Sequence, residues 1–340
     1  MKVGIIGCGK VALEGHIPAF RQLGLNIVGV ADPNKVALKK ARVKRKYTNY
    51  NELLKQDLDI VSICTPPFLH HKMCIDAAEQ GINILVEKPL ALSVKEGIEI
   101  KKKAEANGVK LCVVHNYKFL DPIVKAKKMH EHGQLGRLLS IRTVVHGSSP
   151  PAWDTWRMNE NQSGSHILQW THPLYLQTWF GGNPKSVFAI GRKIIPNYPL
   201  VMDVKALINF GDCTGFLEMS AFCSSPQFLL NITGTGASIM VKLPVKFRVL
   251  APSTPIDALE EAIASFSNLG RLFRMHLTMQ RRPYMRFTWG SHFKLIKKFI
   301  ESIENDTEVP ATVDEGILSI KLAKAIEESI HFGKEIGLST

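Results

Sequence analysis

Acidic residues are in short supply in this 340-residue chain. It holds 30 Asp and Glu against 43 Lys and Arg, for a formal charge of +13. The balance favours acidic partners such as nucleotides, sugar phosphates, anionic lipid or nucleic acid, without choosing among them. No nucleic-acid recognition module and no aromatic interleaving accompany the charge, so nucleic acid is not expected as a partner. Long apolar runs are absent too. The longest are short ones such as Ile60–Cys64 and Ile82–Val86, far from the ~18 residues of a membrane span. The opening Met1-Lys2-Val3-Gly4-Ile5-Ile6-Gly7 reads as a strand and a glycine turn, not as a signal peptide. The six cysteines (Cys8, Cys64, Cys74, Cys112, Cys213, Cys223) form no Cys-x-x-Cys pair, and several lie in apolar strand-like runs. They read as reduced, buried thiols of a cytoplasmic protein. His70, His71, His115, His146, His166 and His172 show no ligand spacing, so no metal is expected. A Gly-x-Ser-x-Gly elbow is missing, which argues against a Ser/His/Asp hydrolase.

What remains is ordinary globular material, 45% hydrophobic and 21% charged, with a length that suggests about two domains. There is no internal repeat and no low-complexity tract. The first third alternates strand and helix patterns. Strands are read at Val3–Ile6, Asn26–Ala31, Ile60–Thr65, Asn83–Val86 and Lys110–His115, and helices at Ala12–Leu23, Asn34–Lys46, His70–Gln80 and Lys95–Asn107. Buried apolar strands alternating with helices predict a doubly wound parallel sheet. Near Phe119–Pro122 the pattern changes. Helix Ile123–His132 ends at Gly133, and strands with two-sided alternation follow: Leu138–His146, Pro184–Arg192, Val204–Asn209, Gly215–Phe222, Leu229–Thr233 and Ser238–Val241. Gly211-Asp212 reads as a hairpin turn. Ser148–Ser165 reads as a long loop, and His292–Glu304 and Asp314–His331 as two amphipathic helices. The expected architecture is α/β: a Rossmann domain over 1–119, then an α+β domain over 120–340 with a large mixed, mostly antiparallel sheet. The final helices have the option of packing back on the first domain.

Two motifs carry chemistry. Gly7-Cys8-Gly9-Lys10-Val11-Ala12 is G-x-G-x-x-A, directly after a strand and opening a helix. The first glycine permits the tight turn, the second lets the backbone approach a pyrophosphate, and the small third residue lets helix and strand pack closely. The helix N-terminus supplies N–H groups for the phosphates. Asp32 closes the second strand about 20 residues on, where an acid binds a ribose 2′-OH. Its carboxylate favours NAD over NADP, although Lys35, Lys39 and Lys40 nearby soften that preference. The second motif is Glu87-Lys88-Pro89, at the carboxyl end of a strand that points into the ligand crevice. A lysine beside a bound nicotinamide cation has its pKa lowered, and it can then help remove a substrate hydroxyl's proton.

With these residues in place the sequence resembles the Gfo/Idh/MocA family of sugar-type dehydrogenases. The matching stretches span nearly the whole chain. They are Gly4–Phe20 with Gly15-His16-Ile17-Pro18-Ala19, Ala31-Asp32, Cys64-Thr65-Pro66-Pro67 with His70, Glu87-Lys88-Pro89-Leu90, Asn116-Tyr117-Lys118-Phe119 and Trp156-Arg157. His172 with Trp179-Phe180-Gly181, the hairpin around Gly211, Gly234-Thr235-Gly236 and Pro310–Gly316 complete them. The resemblance implies that Gly7, Gly9, Lys10, Val11 and Ala12 hold the pyrophosphate and Asp32 the adenosine ribose. It implies that Thr65, Pro66 and His70 line the nicotinamide half. Glu87 and Lys88 would lie beside the ring, with Asn116 and Arg157 near cofactor and substrate. His172 matches the histidine that many members use as proton acceptor. One departure stands out. The family commonly shows Asp-x-x-x-His on one helix face, and here the position four before His172 is Leu168. Gln169 is polar but off that face, and His166 matches it poorly.

The expected activity is hydride transfer between a nicotinamide and a carbinol carbon of a sugar, nucleotide sugar or cyclitol. His172 would take the hydroxyl proton, and Lys88 would orient the same oxygen. Two alternatives stay open: a redox-silent dinucleotide-binding regulator, which Leu168 supports, and an NAD-dependent glycosidase acting by transient oxidation. The basic segment Leu269–Arg286 admits three readings: a solvated helix, arginines for an anionic substrate, or a membrane-surface contact. Exposed sheet faces in such a second domain commonly pair, so a homodimer or homotetramer is expected.

Overall fold

The computed structural model describes residues 1–147, 156–195, 200–221, 223–224, 226–243, 246–250 and 283–338. The first sheet has six parallel strands: β1 (Lys2–Ile6), β2 (Asn26–Ala31), β3 (Lys46–Tyr47), β4 (Ile60–Ile63), β5 (Asn83–Val86) and β6 (Leu111–Val113). Their order is β3-β2-β1-β4-β5-β6. The chain winds one way through β1 to β3 and then returns past β1 to β4, which opens a crevice at the carboxyl ends of β1 and β4. All four residues of β4 are buried, as expected for a strand covered on both faces. Covering helices are α1 (Ile17–Gln22), α2 (Lys35–Lys40), α3 (Tyr50–Leu54), α4 (His70–Glu79) and α5 (Val94–Ala106).

Two local features depart from the regular pattern read in the sequence. The helix after β1 is not uniform. Its first turns, Ala12–His16, are a π-helix that passes into α1. Such widened turns are rare and cluster at functional sites, and this one seats the buried His16 over the strands. The basic helix expected over Asn34–Lys46 is short. Asn34 caps α2 by accepting from Val36 N at 2.9 Å, and the helix ends at Lys40. Arg42 then adopts φ +52, and the chain turns to pair Lys46–Tyr47 with β2.

The second sheet has eight strands: β7 (Leu138–His146), β8 (Ser186–Arg192), β9 (Asp203–Asn209), β10 (Thr214–Ser220), β11 (Gln227–Gly234), β12 (Ser238–Leu243), β13 (Lys246–Leu250) and β14 (Ile336–Gly337). Their order is β13-β12-β11-β7-β10-β9-β8-β14. Only β7 and β10 pair in parallel; the other neighbours are antiparallel. Helix α6 (Asp121–Glu131) precedes it. Between β7 and β8 the described residues form a 3-10 turn (Trp156–Met158) and three helices: α7 (Glu160–Ser163), α8 (His166–Gln169) and α9 (Thr171–Gly181). The described part of the expected loop Ser148–Ser165 is therefore largely helical. Phe188, Leu207 and Phe216 line up across β8, β9 and β10 on the face away from the helices, 41%, 46% and 44% exposed.

The last two helices are α10 (Pro283–Glu304) and α11 (Val313–Phe332). Leu295, Ile296, Phe299 and Ile300 of α10 join the core of Val3, Ile5 and Phe20 beneath the first sheet. The core of the second sheet takes in Ile317, Ile320 and Ile326 of α11. Of the basic segment Leu269–Arg286, residues 269–282 lie outside the described residues.

Candidate active site

The turn after β1 has the shape that a pyrophosphate requires. Gly7 adopts φ +90, and a Cβ there would lie 2.7 Å from the Cys64 carbonyl oxygen. Gly9 is different: a Cβ there would meet nothing within 4 Å, so its backbone borders open space. Ala12 is fully buried, which lets the helix sit close to the sheet. Lys10 is exposed at the helix start and Val11 half-buried. Asp32, just beyond β2, ties the turn down. Its Oδ2 accepts from Cys8 N at 2.7 Å and its Oδ1 from Asn34 N at 2.8 Å. Each carboxylate oxygen keeps a second lone pair for a ribose hydroxyl. These residues fit a dinucleotide: an open glycine backbone, a helix N-terminus and a carboxylate acceptor tied to the turn.

Beneath the crevice lies a buried polar network that sequence reasoning did not assemble. Ser62 Oγ sits 2.8 Å from His16 Nδ1, and His16 Nε2 sits 2.9 Å from Glu87 Oε1. His292 Nε2, from α10, approaches the same carboxylate oxygen at 3.4 Å. Asn116 Nδ2 lies 3.1 Å from Ser291 Oγ and 3.3 Å from His292 Nδ1. A consistent proton arrangement follows. Ser62 and Asn116 donate to the Nδ1 atoms, and both Nε2–H groups donate to Glu87. Burial alone would raise the Glu87 pKa, but the hydrogen bonds from His16 and His292 outweigh it and hold the carboxyl well below the usual range. Burial lowers the His16 pKa, so it sits neutral. The ligand atoms of His16, Glu87 and His292 lie within 4.8 Å of one another. The hydrogen bonds already account for that closeness.

The loops around the network carry the remaining expected residues. His70 is fully buried, with Nδ1 2.8 Å from Pro89 O and Nε2 2.9 Å from Thr65 O. It offers a ligand no ring nitrogen and instead braces the loops after β4 and β5. The loops it braces are the ones expected to line the cofactor. Thr65 Oγ1 leans on Met73 Sδ at 3.5 Å, and Pro66 caps the following 3-10 turn. Asn116 faces α10 with its amide nitrogen, as above. Arg157 is exposed and lies over the Trp156 ring at 4.4 Å. Lys88 is half-buried, and its Nζ donates to Gln169 O at 2.9 Å. Burial pushes its pKa down to about 8, with Arg157 helping and Glu87 opposing.

The stretch holding Leu168 and His172 is not one helix. α8 and α9 are broken at Trp170, which has φ −99 and ψ 49. Thr171 Oγ1 donates to Leu168 O at 2.7 Å across the break. Leu168 is fully buried. Gln169 turns its amide to Arg157 O and Ser163 Oγ, both at 3.0 Å. The one-face argument for positions 168 and 172 therefore fails. His172 is half-buried. It stacks on Tyr117 at 3.9 Å, and its Nδ1 lies 2.8 Å from Tyr175 Oη. Burial lowers its pKa well below the ordinary value, and Lys88 lowers it further. Tyr175 is fully buried, stacks on His115 at 4.1 Å and accepts from Tyr117 N at 3.0 Å.

His16, Ser62, His292 and Tyr175 are the residues that sequence reasoning missed. His16 stood inside a quoted stretch without a role. His292 carried no sequence signal, because its partner Glu87 lies 205 residues away.

Comparison with known proteins places the chain in a family. Residues 1–115 match the model of an oxidoreductase family with an NAD-binding Rossmann fold, and residues 123–240 match the GFO/IDH/MocA C-terminal domain. A 2,7-anhydro-N-acetylneuraminate hydratase of Mediterraneibacter gnavus is 29% identical over 253 residues, covering 70% of this chain and 66% of that protein. The scyllo-inositol 2-dehydrogenase (NADP(+)) IolW of Bacillus subtilis is 23% identical, covering 97% of this chain and 93% of that protein. The WlbA dehydrogenase of Bordetella pertussis, solved with NADH and UDP-GlcNAcA, superposes with a TM-score of 0.83 at 21% identity. It covers 100% of this chain and 98% of that one. The chain belongs to the Gfo/Idh/MocA family of NAD-binding oxidoreductases.

Proposed function

We propose that this protein transfers a hydride between a nicotinamide dinucleotide and a carbinol carbon of a sugar, nucleotide sugar or cyclitol. The observation that carries the reading is that the half-buried Lys88 holds Gln169 O, three residues before the half-buried His172, while the Gly7–Asp32 turn leaves its Gly9 backbone open. Gly7, Gly9, Lys10, Val11 and Ala12 border the pyrophosphate, and Asp32 takes the adenosine ribose. Thr65, Pro66, Glu87, Asn116 and Arg157 shape the nicotinamide end. When bound, the dinucleotide supplies the hydride chemistry. Lys88 and His172 hold the reacting oxygen. The segment 1–119, with α10 against it, forms the dinucleotide half, and 120–340 supplies the substrate half. Asp32 favours NAD, since its carboxylate repels a 2′-phosphate.

A second reading draws on the hydratase relative. Hydration involves no net redox change, so an activity of that kind here would use the dinucleotide at most for a transient oxidation. The same residues would suit such a cycle here. The aligned Phe188, Leu207 and Phe216 support a homodimer or homotetramer through that sheet face. Phe216→Glu would then yield monomers by size-exclusion chromatography with light scattering. Among the described residues no helix is long and apolar enough to cross a membrane. Five of the six free cysteines are buried, which suits a reducing cytoplasm.

The deciding experiment is a fluorescence titration with NADH and NADPH, repeated on Asp32→Ala. The reading expects NADH to bind more tightly than NADPH. It expects the variant to lose about 10-fold or more for NADH, the worth of a charged hydrogen bond. Absence of binding by either dinucleotide sinks it.

A further inference from the structure

The hydrogen-bond chain behind His172 determines which ring nitrogen holds its proton. Tyr175 Oη has two partners: the backbone N–H of Tyr117 at 3.0 Å and His172 Nδ1 at 2.8 Å. A backbone amide can only donate, so the first contact uses a lone pair of the oxygen. The hydroxyl proton then has one place to go. Tyr175 is 1% exposed, and among the described residues its hydroxyl has no acceptor other than His172 Nδ1. Its ring face lies on His115, 4.1 Å away and 17° from parallel, and among the described residues neither His115 ring nitrogen takes a hydrogen bond. Donation from Tyr175 to Nδ1 satisfies every group. The reverse, with Nδ1–H donating to Tyr175, strands a buried O–H, which is disfavoured by about tenfold or more.

We propose that Tyr175 fixes His172 as an Nε2–H donor, so that His172 holds the reacting oxygen while Lys88 carries its proton. This deepens the oxidoreductase reading and rests on it. With Nδ1 filled by Tyr175 and one ring face covered by Tyr117, Nε2 is the ring nitrogen left for a ligand. A nitrogen that already bears a proton cannot accept another, so the general-base role expected for His172 moves to Lys88. In the oxidising direction a bound dinucleotide would take the carbinol hydrogen as hydride, with its two electrons. The O–H proton passes to the lone pair of neutral Lys88 Nζ, which keeps one N–H on Gln169 O. The new carbonyl oxygen accepts from His172 Nε2–H. The reducing direction reverses each transfer. Tyr175 touches no reacting atom and is a positioning residue. The charged and titratable groups acting on His172 are Lys88, Glu87, His292 and His115, none of which supplies Nδ1 with a competing donor.

The test uses full-length protein labelled with 15N at histidine and lysine, with and without saturating NADH. Two-bond 1H–15N spectra report the tautomer directly, and His172→Gln and Lys88→Met assign the signals. The expected result is His172 in the Nε2–H form by at least about tenfold, with Lys88 titrating near 8. Tyr175→Phe is expected to collapse that tautomer ratio several-fold. A wild-type His172 in the Nδ1–H form, or in an even mixture, overturns the proposal. So does a Lys88 that stays protonated to the ordinary lysine value of about 10.4. NADH fluorescence on the same samples separates the two claims. Failure to bind sinks the oxidoreductase reading, while the tautomer is read regardless.

Discussion

The two halves proposed for the site, one for dinucleotide and one for substrate, are built in opposite ways. The dinucleotide half is made by neighbours in sequence: Gly7, Gly9 and Ala12 in one turn, with Asp32 closing it from the next strand. The substrate half is made by residues that meet only in the fold. Lys88 reaches Gln169, 81 residues on, and Tyr175 reaches back to Tyr117, 58 residues away. Local construction leaves a spacing that can be read in the chain. Long-range construction leaves none, because each residue in isolation has an ordinary explanation.

Even within the local half, two glycines do different work, and separating them produces the largest expected effect. Gly9→Val places its side chain in open space. It is expected to leave the melting temperature nearly unchanged while abolishing NADH binding in a fluorescence titration. Gly7→Ala sets a methyl against the Cys64 carbonyl at φ +90. It is expected to cost about 1–3 kcal/mol of stability, read by denaturant unfolding. If Gly9→Val unfolds the protein, or binds NADH normally, the division fails. Lys88→Met is the counterpart in the other half. Turnover is expected to fall by about 10²–10⁴, with NADH affinity held within a few-fold.

The same contrast explains what was legible. The parallel sheet followed from alternating apolar runs, and the turn from its glycines and Asp32. The short α2 did not, because the left-handed Arg42 that precedes β3 is not a residue type that signals a turn. The break at Trp170 was hidden as well. Leu168, Trp170, Leu174 and Leu176 run apolar through it, so the pattern gives no reason to stop a helix. His70 was assigned by resemblance, and only the structure shows both of its nitrogens on backbone carbonyls. The mixed second sheet was legible as alternation, but not the parallel β7–β10 pairing at its centre.

Buried histidines give a smaller but sharper comparison. His16, His70, His115 and His166 are each at most 1% exposed. Burial lowers the pKa of all four, that of His166 to about 4. Below about 6.5 the unfolded chain binds protons that the folded chain refuses. Stability is therefore full above that value and falls with pH beneath it, by about 1.4 kcal/mol per pH unit for each such group. Thermal melts near neutrality and near pH 5.5 should show it. His16 and His70 have hydrogen-bond partners, while among the described residues both ring nitrogens of His115 and of His166 have none. His166→Phe is expected to raise the melting temperature at the lower pH, and His16→Phe to lower it at both. Equal responses would mean that the hydrogen bonds of the Glu87 network contribute little.

The smallest expected effect tests whether the break at Trp170 positions the substrate half. Thr171 is buried, and its hydroxyl donates to Leu168 O at 2.7 Å across the break. Thr171→Val keeps the shape and removes that donor, at a cost of about 1 kcal/mol. The break also sets the Gln169 carbonyl that Lys88 Nζ meets and begins the helix that carries His172. A small shift there should be felt in turnover several-fold, because reacting groups tolerate little displacement, while NADH affinity stays within about twofold. Loss of stability with unchanged turnover would mean that α8 and α9 are held by packing alone. The buried Leu168, rather than the Thr171 hydrogen bond, would then set the geometry of the substrate half.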